Sequence, residues 1–456
     1  MSLGSTKPKI LIVGAGIGGL TLAAILEKAN IPYEIFEKTS SIKPLGSAMA
    51  VGLPVIPLLT QLGVMDQIAA KGIRIGKSKM YSDKDGLILE VDFTAGAAEM
   101  FGHPGYIISR HNLHNTLLNL IPPERIHLNK RVLSHVETGT SISIKTSDNM
   151  THEGNILVGA DGTYSAVRQS LYEHIGKRGL LPASDKESLK SSTICLVGQT
   201  RPLEPKEFHF SDDSVCSHES MLINDKPIYV VTFTTAEKTI CWVILQFLEQ
   251  ETSKTDDNFR SSEWGPEAAD AMCKEVRDYP AVRGMKMGDL IDATPKEVIC
   301  KVMLEEKLFE TWTYGRTVLL GDACHKMSPA AGLGAQTAMG DAVVLANYIN
   351  TLTTVESEDV EKVLKAYRDE RYPIAKKNAG ASAAMSSRVK QGLVGKIVRF
   401  ILGHMPRWLW FQILARSVQC RPQISFLPLA EDNCPIKAMY QPSLEKTRPK
   451  NMATNA

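Results

Sequence analysis

The residues best suited to chemistry are glycines and acids in three clusters. The first is Gly14-Ala15-Gly16-Ile17-Gly18-Gly19, a Gly-x-Gly-x-x-Gly directly after the apolar run Ile10-Leu11-Ile12-Val13. Gly14 permits a tight turn, Gly16 lets a pyrophosphate approach the backbone, and Gly19 lets the next helix pack close to the strand. The free N–H groups and dipole of that helix then meet phosphate charge. A second strand-like run, Tyr33-Glu34-Ile35-Phe36, ends in Glu37, about 20 residues on. An acid there suits the two hydroxyls of an adenosine ribose and repels a 2′-phosphate. Strand, helix and acid together indicate a dinucleotide without saying which.

The second cluster is Gly159-Ala160-Asp161-Gly162, at the end of the apolar run Ile156-Leu157-Val158. Thr163 or Ser165 can cap the helix that follows. An Asp-Gly here is either a plain turn or a ligand contact opposite the nucleotide unit. The third cluster is Gly321-Asp322-Ala323-Cys324-His325, followed by Pro329-Ala330-Ala331-Gly332-Leu333-Gly334-Ala335-Gln336 and a long helix with few charges. This second glycine-rich helix entrance offers N–H groups to another anionic or electron-rich ligand. A dinucleotide carries a reactive ring at its far end. A reduced flavin ring is negative near N1 and O2, and a helix N-terminus stabilises such charge. His325 invites a catalytic role, but a loop histidine bonded to backbone is the plainer expectation.

These clusters require a doubly wound α/β scaffold. Residues 9–38 read as its first βαβ unit, and Tyr106–Ser109 as a strand delivering Arg110 to a strand end, where such sheets bind ligands. Residues 46–62 read as a small-residue loop and a short helix, and residues 79–93 as a hairpin around Asp85-Gly86. From about 180 to 300 the glycine spacing stops and strand-like runs take over (Thr193–Val197, Ile228–Phe233, Ile240–Leu245). They predict a mostly antiparallel sheet forming a substrate wall, followed by a polar loop from Glu249 to Arg260 and a helix over 264–279. A helix over 361–390 is expected to break near Pro373. Residues 445–456 are expected to be disordered.

Composition narrows the class. The chain has 456 residues, too many for one compact core. Its 52 Lys+Arg against 50 Asp+Glu give no electrostatic footprint for nucleic acid. The eight cysteines form neither a Cys-x-x-Cys pair nor a metal spacing with His, so reduced thiols and no metal are expected. The glycine motif starts almost at once, with no room for a signal peptide, and no apolar run is long enough to span a bilayer. The expectation is a cytoplasmic protein. Residues 393–414, with Trp408 and Trp410 beside Arg407, suit a peripheral membrane contact; two short helices capping the domain are the plainer reading.

Together, the three boxes resemble the class A flavoprotein monooxygenases, a group that includes para-hydroxybenzoate and salicylate hydroxylases, zeaxanthin epoxidase and fungal terpenoid and indole-diterpene epoxidases. The matching residues are Gly14, Gly16 and Gly19; Gly159 to Gly162 with Ser165 and Arg168; and Gly321-Asp322-Ala323-x-His325. The tail Arg421–Pro428 looks like the fungal branch more loosely. The resemblance implies a Rossmann-like FAD-binding domain (1–180 and 301–380), a substrate sheet (181–300, with 79–105 on the substrate side) and a helical C-terminal segment with a flexible tail (381–456). It implies that Gly14, Gly16 and Gly19 hold the FAD pyrophosphate and that Glu37, with Lys38 beside it, meets the adenosine ribose. Arg110 would reach the pyrophosphate–ribityl region. Asp161 and Gly162 would belong to a box serving FAD and the nicotinamide cofactor, and Asp322 would contact the ribityl chain. Pro329, Gly332, Gly334 and Ala335 would line the flavin, with Val51 on its other side. Gln336 and Pro54 stand where many members have Asn.

The implied reaction uses NADH or NADPH to reduce FAD, adds dioxygen at C4a and delivers one oxygen atom from the hydroperoxide to an arene or alkene. A single complete nucleotide fingerprint fits a nicotinamide cofactor that visits transiently. Few charges in the sheet strands favour an apolar, bulky substrate. No side chain is identified as a general base. Other readings are a flavin-linked reductase or dehydrogenase, a halogenase (against which the misplaced Trp408-Leu409-Trp410 argues) and a non-catalytic FAD-fold binding protein (against which the intact Gly-Asp box argues).

Overall fold

The computed structural model describes residues 7–41, 48–84, 86–93, 101–204, 214–223, 226–253, 266–281, 284–387, 397, 400–401 and 404–448. Ile10, Leu11 and Ile12 are fully buried because their strand lies inside a six-stranded sheet. The order is Thr313–Tyr314, Thr317–Leu319, Ile156–Gly159, Ile10–Val13, Tyr33–Phe36, Ile126–His127. All neighbours are parallel except the first pair. Parallel strands covered on both faces read as unbroken apolar runs, which is how Ile10–Val13, Ile156–Val158 and Val318–Leu320 appear in the sequence. Their shared polarity brings Gly14, Glu37, Asp161 and Gly321-Asp322 to one edge of the sheet.

The second sheet has ten strands. It runs from His325–Lys326 through Cys300–Leu308, Lys190–Gln199, Ile240–Ser253, Ile228–Thr234, Val215–Ile223, Ile73–Ser82 and Tyr106–Ser109 to Ala48–Val51. Gly86–Asp92 pairs with Ile73–Ser82 as the expected hairpin, while Asp85 lies outside the described residues. Every pairing is antiparallel except Val215–Ile223 with Ile73–Ser82. One face is sealed: Leu196, Val230, Trp242 and Ile244 pack under Met272, Val276, Met287 and Leu290 of two helices. On the other face stand Val197, Tyr229, Val231, Phe233, Val243 and Phe247, apolar yet half-buried.

Four expectations change. Ala48–Val51 is a strand paired with Tyr106–Ser109, not a loop, because its small side chains let the sheet edge curl onto Phe233 and Cys216; Gly46 and Ser47 lie outside the described residues. Ile240–Ser253 runs past Glu249, since Lys190 and Ser191 continue to pair with Ser253 and Thr252. The rest of that presumed loop, 254–260, is outside the described residues. The helix Ser357–Ser387 runs through Pro373 without stopping. Pro373 is exposed, so water can hydrate the carbonyl it strands. Glu445 lies in a short helix, Pro442–Thr447, pinned where Ser443 N and Oγ donate to Glu370 at 2.8 and 3.0 Å; residues 449–456 are outside the described set. The tail at Arg421–Pro428 is a strap: Asn347 Nδ2 donates to Gln423 O and Ser425 N donates to Asn347 Oδ1, each at 2.9 Å.

Candidate active site

Three helices begin at the carboxyl edge of the parallel sheet, and their N-termini differ. Ile17–Lys28 starts at Gly16 and Gly334–Ile349 starts at Leu333, neither with a side-chain cap. Their first N–H groups are left for something else, since unpaired helix-end donors need a partner. The third, Ala166–Lys177, is already satisfied. Ser165 Oγ accepts from Arg168 N at 2.9 Å, and Asp161 Oδ2 accepts from Ala166 N at 2.7 Å. Burial pushes the Asp161 carboxyl up, and its Oδ1 is buried without a protein partner.

The glycines sort by what surrounds them. A Cβ on Gly14 (φ +105°) would lie 2.4 Å from Ala160 O, and one on Gly19 would lie 2.1 Å from Gly14 O. A Cβ on Gly16 would meet nothing within 4 Å. The turn is therefore closed on its protein side and open at the glycine expected to face pyrophosphate. Glu37 closes the rim: Oε2 accepts from Ala15 N at 3.0 Å, while Oε1 accepts from Thr39 N and Oγ1, each at 3.0 Å. Lys38 is exposed beside it.

The two uncapped entrances are neighbours. Their helices pack through Gly18, where a Cβ would lie 3.3 Å from Ala338 Cβ. Gly332 (φ +63°) faces open space, and a Cβ on Gly334 would meet only Asp322 Oδ1, at 4.0 Å. Pro329 opens the short turn before them, and Ala335 is half-buried. Across from this segment, Val51 is buried and leads into Gly52, whose Cβ would lie 3.5 Å from Gln336 Oε1. That oxygen is buried without a protein partner. Orphaned acceptors, uncapped helix ends and an unfilled glycine face fit a dinucleotide with a terminal ring.

Asp322 ion-pairs with Lys326 at 2.7 Å. Burial works to raise its pKa, but Lys326, with smaller help from His325 and Arg110, holds it below the usual carboxylate range. Arg110, the first residue of the helix Arg110–Leu118, is near enough to Asp322 to act on its charge, although its strand, Tyr106–Ser109, belongs to the ten-stranded sheet and not to the doubly wound one as expected. Gly162 (φ +82°) turns the chain after Asp161. Arg168 joins the second and third boxes by donating to Thr163 O and Ala323 O, both at 2.7 Å, with its guanidinium 4.1 Å above the Phe309 ring.

His325 is not bonded to backbone as expected. Its Nε2 lies 2.5 Å from Asp341 Oδ2, with both residues fully buried. Arg371 Nε donates to Asp341 Oδ1 at 2.7 Å, and Gly321 N to Asp341 Oδ2 at 3.2 Å. Arg371 Nη2 also donates to Thr337 O at 3.1 Å. This buried ion group clamps the Gly-Asp turn to the second helix entrance. At the first entrance, His114 Nε2 donates to Ala15 O at 2.8 Å. Sequence reasoning missed the partners of Asp341 and His114. Arg371 carried a signal, since it continues the buried stripe Val363, Leu364, Tyr367 at helical spacing.

A parallel nucleotide-binding sheet whose loops meet a mixed, open-faced sheet defines a flavoprotein of the two-sheet hydroxylase type. The FAD binding domain model matches residues 7–190 and 284–382, and the chain belongs to that family. The FAD-dependent monooxygenase ausM of Emericella nidulans is 30% identical over 97% of this chain and 92% of its own. The FAD-dependent monooxygenase prhF of Penicillium brasilianum is 27% identical over the same shares. HpxO of Klebsiella pneumoniae, solved with FAD and uric acid, shares the fold with a TM-score of 0.72 at 18% identity, covering 91% of this chain and 97% of its own. The protein is an FAD-dependent monooxygenase.

Among the described residues, no helix is long and apolar enough to cross a membrane, and no group of three His, Cys, Asp or Glu residues could hold a metal. All eight cysteines are free thiols.

Proposed function

We propose that the chain uses FAD, NADH or NADPH and dioxygen to hydroxylate or epoxidise a bulky, apolar organic substrate in secondary metabolism. Bound FAD, once reduced by the nicotinamide cofactor, supplies activated oxygen. The chain's own residues bind, orient and keep water out. Gly16 and the N–H groups of its helix take the pyrophosphate, Glu37 with Lys38 the adenosine ribose, and Arg110 and Asp322 the middle of the cofactor. Gly332, Gly334, Ala335 and Pro329 line one side of the ring and Val51 the other. Asp161 acts through Oδ2 by ordering the helix behind Gly162, leaving Oδ1 for the cofactor side.

One observation carries the reading: the uncapped Leu333–Gly334 entrance packs beside the Gly16 entrance and ends against Gly52. Two donor clusters distant in sequence thus serve one extended ligand. The open wall argues for the substrate. Val197, Tyr229, Val231, Phe233, Val243 and Phe247 offer apolar, half-buried surface, which suits a bulky neutral skeleton. The one imidazole on that face among the described residues is His218, whose Nδ1 lies 2.8 Å from Ser78 Oγ. Burial lowers its pKa, so it stands neutral toward the substrate near pH 7. An apolar substrate partitions into lipid, so a bilayer contact through 393–414 belongs to the same reading.

The test is direct. Purified protein should be yellow and should oxidise NADH or NADPH faster when an accepted apolar substrate is added, giving a product heavier by one oxygen atom. Reductant oxidation with an unoxygenated, reduced product would make it a reductase instead. A preparation that stays colourless after FAD is added would end the reading.

A further inference from the structure

We propose that the surface built around Phe400 and the helix Arg407–Val418, beside the cofactor cleft, docks on an anionic lipid bilayer. The proposal rests on the apolar-substrate reading above for its purpose but not for its evidence. Ile397, Phe400, Ile401 and Ile413 are 51%, 65%, 54% and 41% exposed. Scattered apolar residues need no explanation, but three within five positions of one segment do.

The stretch of sequence that carries them is one-sided in charge. From Tyr372 to Cys420 the sequence holds eight Lys or Arg residues and no Asp or Glu, in a chain with 52 basic and 50 acidic residues. Lys376, Lys377, His404 and Arg416 are exposed, and Lys377 Nζ donates to Arg416 O at 2.9 Å, which ties the second half of the long helix to the helix Arg407–Val418. Apolar side chains flanked by cations without counter-acids match a membrane interface bearing negative headgroups. A second copy of the chain is disfavoured as occupant, because a two-fold contact would set this basic surface against itself.

The surface is also well placed. Leu414 and Val418 pack against Leu53 and Phe101. Leu53 follows Gly52, which faces Gln336 in the cleft. An apolar molecule held in the bilayer would therefore leave it next to the reaction site.

Flotation of the FAD-loaded full chain with lipid vesicles tests this. It should float with phosphatidylcholine vesicles containing about 30% phosphatidylserine and fail to float with phosphatidylcholine alone; the anionic binding should weaken between about 0.1 M and about 1 M salt. Phe400→Ser with Ile401→Ser should lower the partition about tenfold or more while the protein stays yellow and folded, since both side chains are exposed. Lys376→Glu with Arg416→Glu should lower it without removing apolar area. No flotation with anionic vesicles overturns the proposal, as does equal flotation of either variant or equal binding to neutral vesicles. A lipid-free dimer dispersed by Phe400→Ser would assign the surface to self-association instead. Loss of flotation in a yellow, active enzyme leaves the monooxygenase reading intact. A colourless chain that still floats leaves only the docking.

Discussion

The two uncapped helix entrances look alike in sequence and differ in how they are held. The turn at Gly14–Gly19 is fixed mainly by backbone contact: Gly14 sits on Ala160 O and Gly19 on Gly14 O, while Glu37 accepts from Ala15 N and His114 Nε2 donates to Ala15 O. The entrance at Gly332–Gly334 touches almost nothing and is held from below by the buried group His325–Asp341–Arg371. At the first, Gly14 and Gly19 are required by the protein itself, and only Gly16 is left open. At the second, Gly332 is required by its φ of +63° and Gly334 by what must fit above it. A shared Gly-x-Gly can thus mark a folding constraint or a binding constraint, and only the neighbours tell them apart.

The largest effect should come from Asp341→Ala, which strips the partner from Arg371, a residue with only 3% of its side chain exposed. Leaving that guanidinium unpaired should cost about 3–5 kcal/mol in urea unfolding. A loss below about 1 kcal/mol would mean the second entrance is not held by charge. Gly19→Ala comes next. Its Cβ would lie 2.1 Å from Gly14 O, so overpacking should cost about 1–3 kcal/mol and lower the FAD recovered on purification. Normal stability in that variant would break the contrast from the other side.

Gly334→Ala should do the opposite. Its only neighbour is Asp322 Oδ1 at 4.0 Å, and alanine is the better helix former, so unfolding should shift by less than about 1 kcal/mol, in the stabilising direction. FAD affinity should nevertheless fall about tenfold, read by fluorescence titration, because the methyl group occupies ligand space.

The smallest effect concerns pH. Burial lowers the pKa of His114 from 6.5, outweighing its bond to Ala15. The unfolded chain then takes up a proton that the folded chain refuses, so this part of the stability is present above about pH 6.5 and is lost as pH falls below it. Comparing unfolding at about pH 7.5 and about pH 5.5, His114→Gln should show a shallower decline than the parent. An unchanged slope would remove His114 as the brace of the first turn.

Much of this was legible because it is local. Gly14, Gly16, Gly19, Glu37, Asp161 and Asp322 announce themselves by their places at the ends of four apolar strands, and the parallel sheet then has to bring them to one edge. What was not legible depends on chain segments far apart. Nothing near His114 points to Ala15, nor anything near His325 to Asp341 rather than a backbone group. The small residues of Ala48–Val51 suggested a loop because their strand partner, Tyr106–Ser109, is remote in sequence. Pro373 was over-read, since an exposed helix flank tolerates what a buried one would not.

The two-residue strand His325–Lys326 is a place where one sheet hands over to the other. It emerges directly from the Gly-Asp turn and pairs with Leu308 and Lys307 at the rim of the ten-stranded sheet. The seam between the oxidising half and the recognition half therefore lies at the two margins of that sheet, here and where Val51 and Ile108 join the core of the parallel sheet. Strands several places away, such as Ile228–Thr234, can exchange side chains without disturbing it. Such a layout lets a lineage diversify the molecules it accepts while its redox chassis stays unchanged.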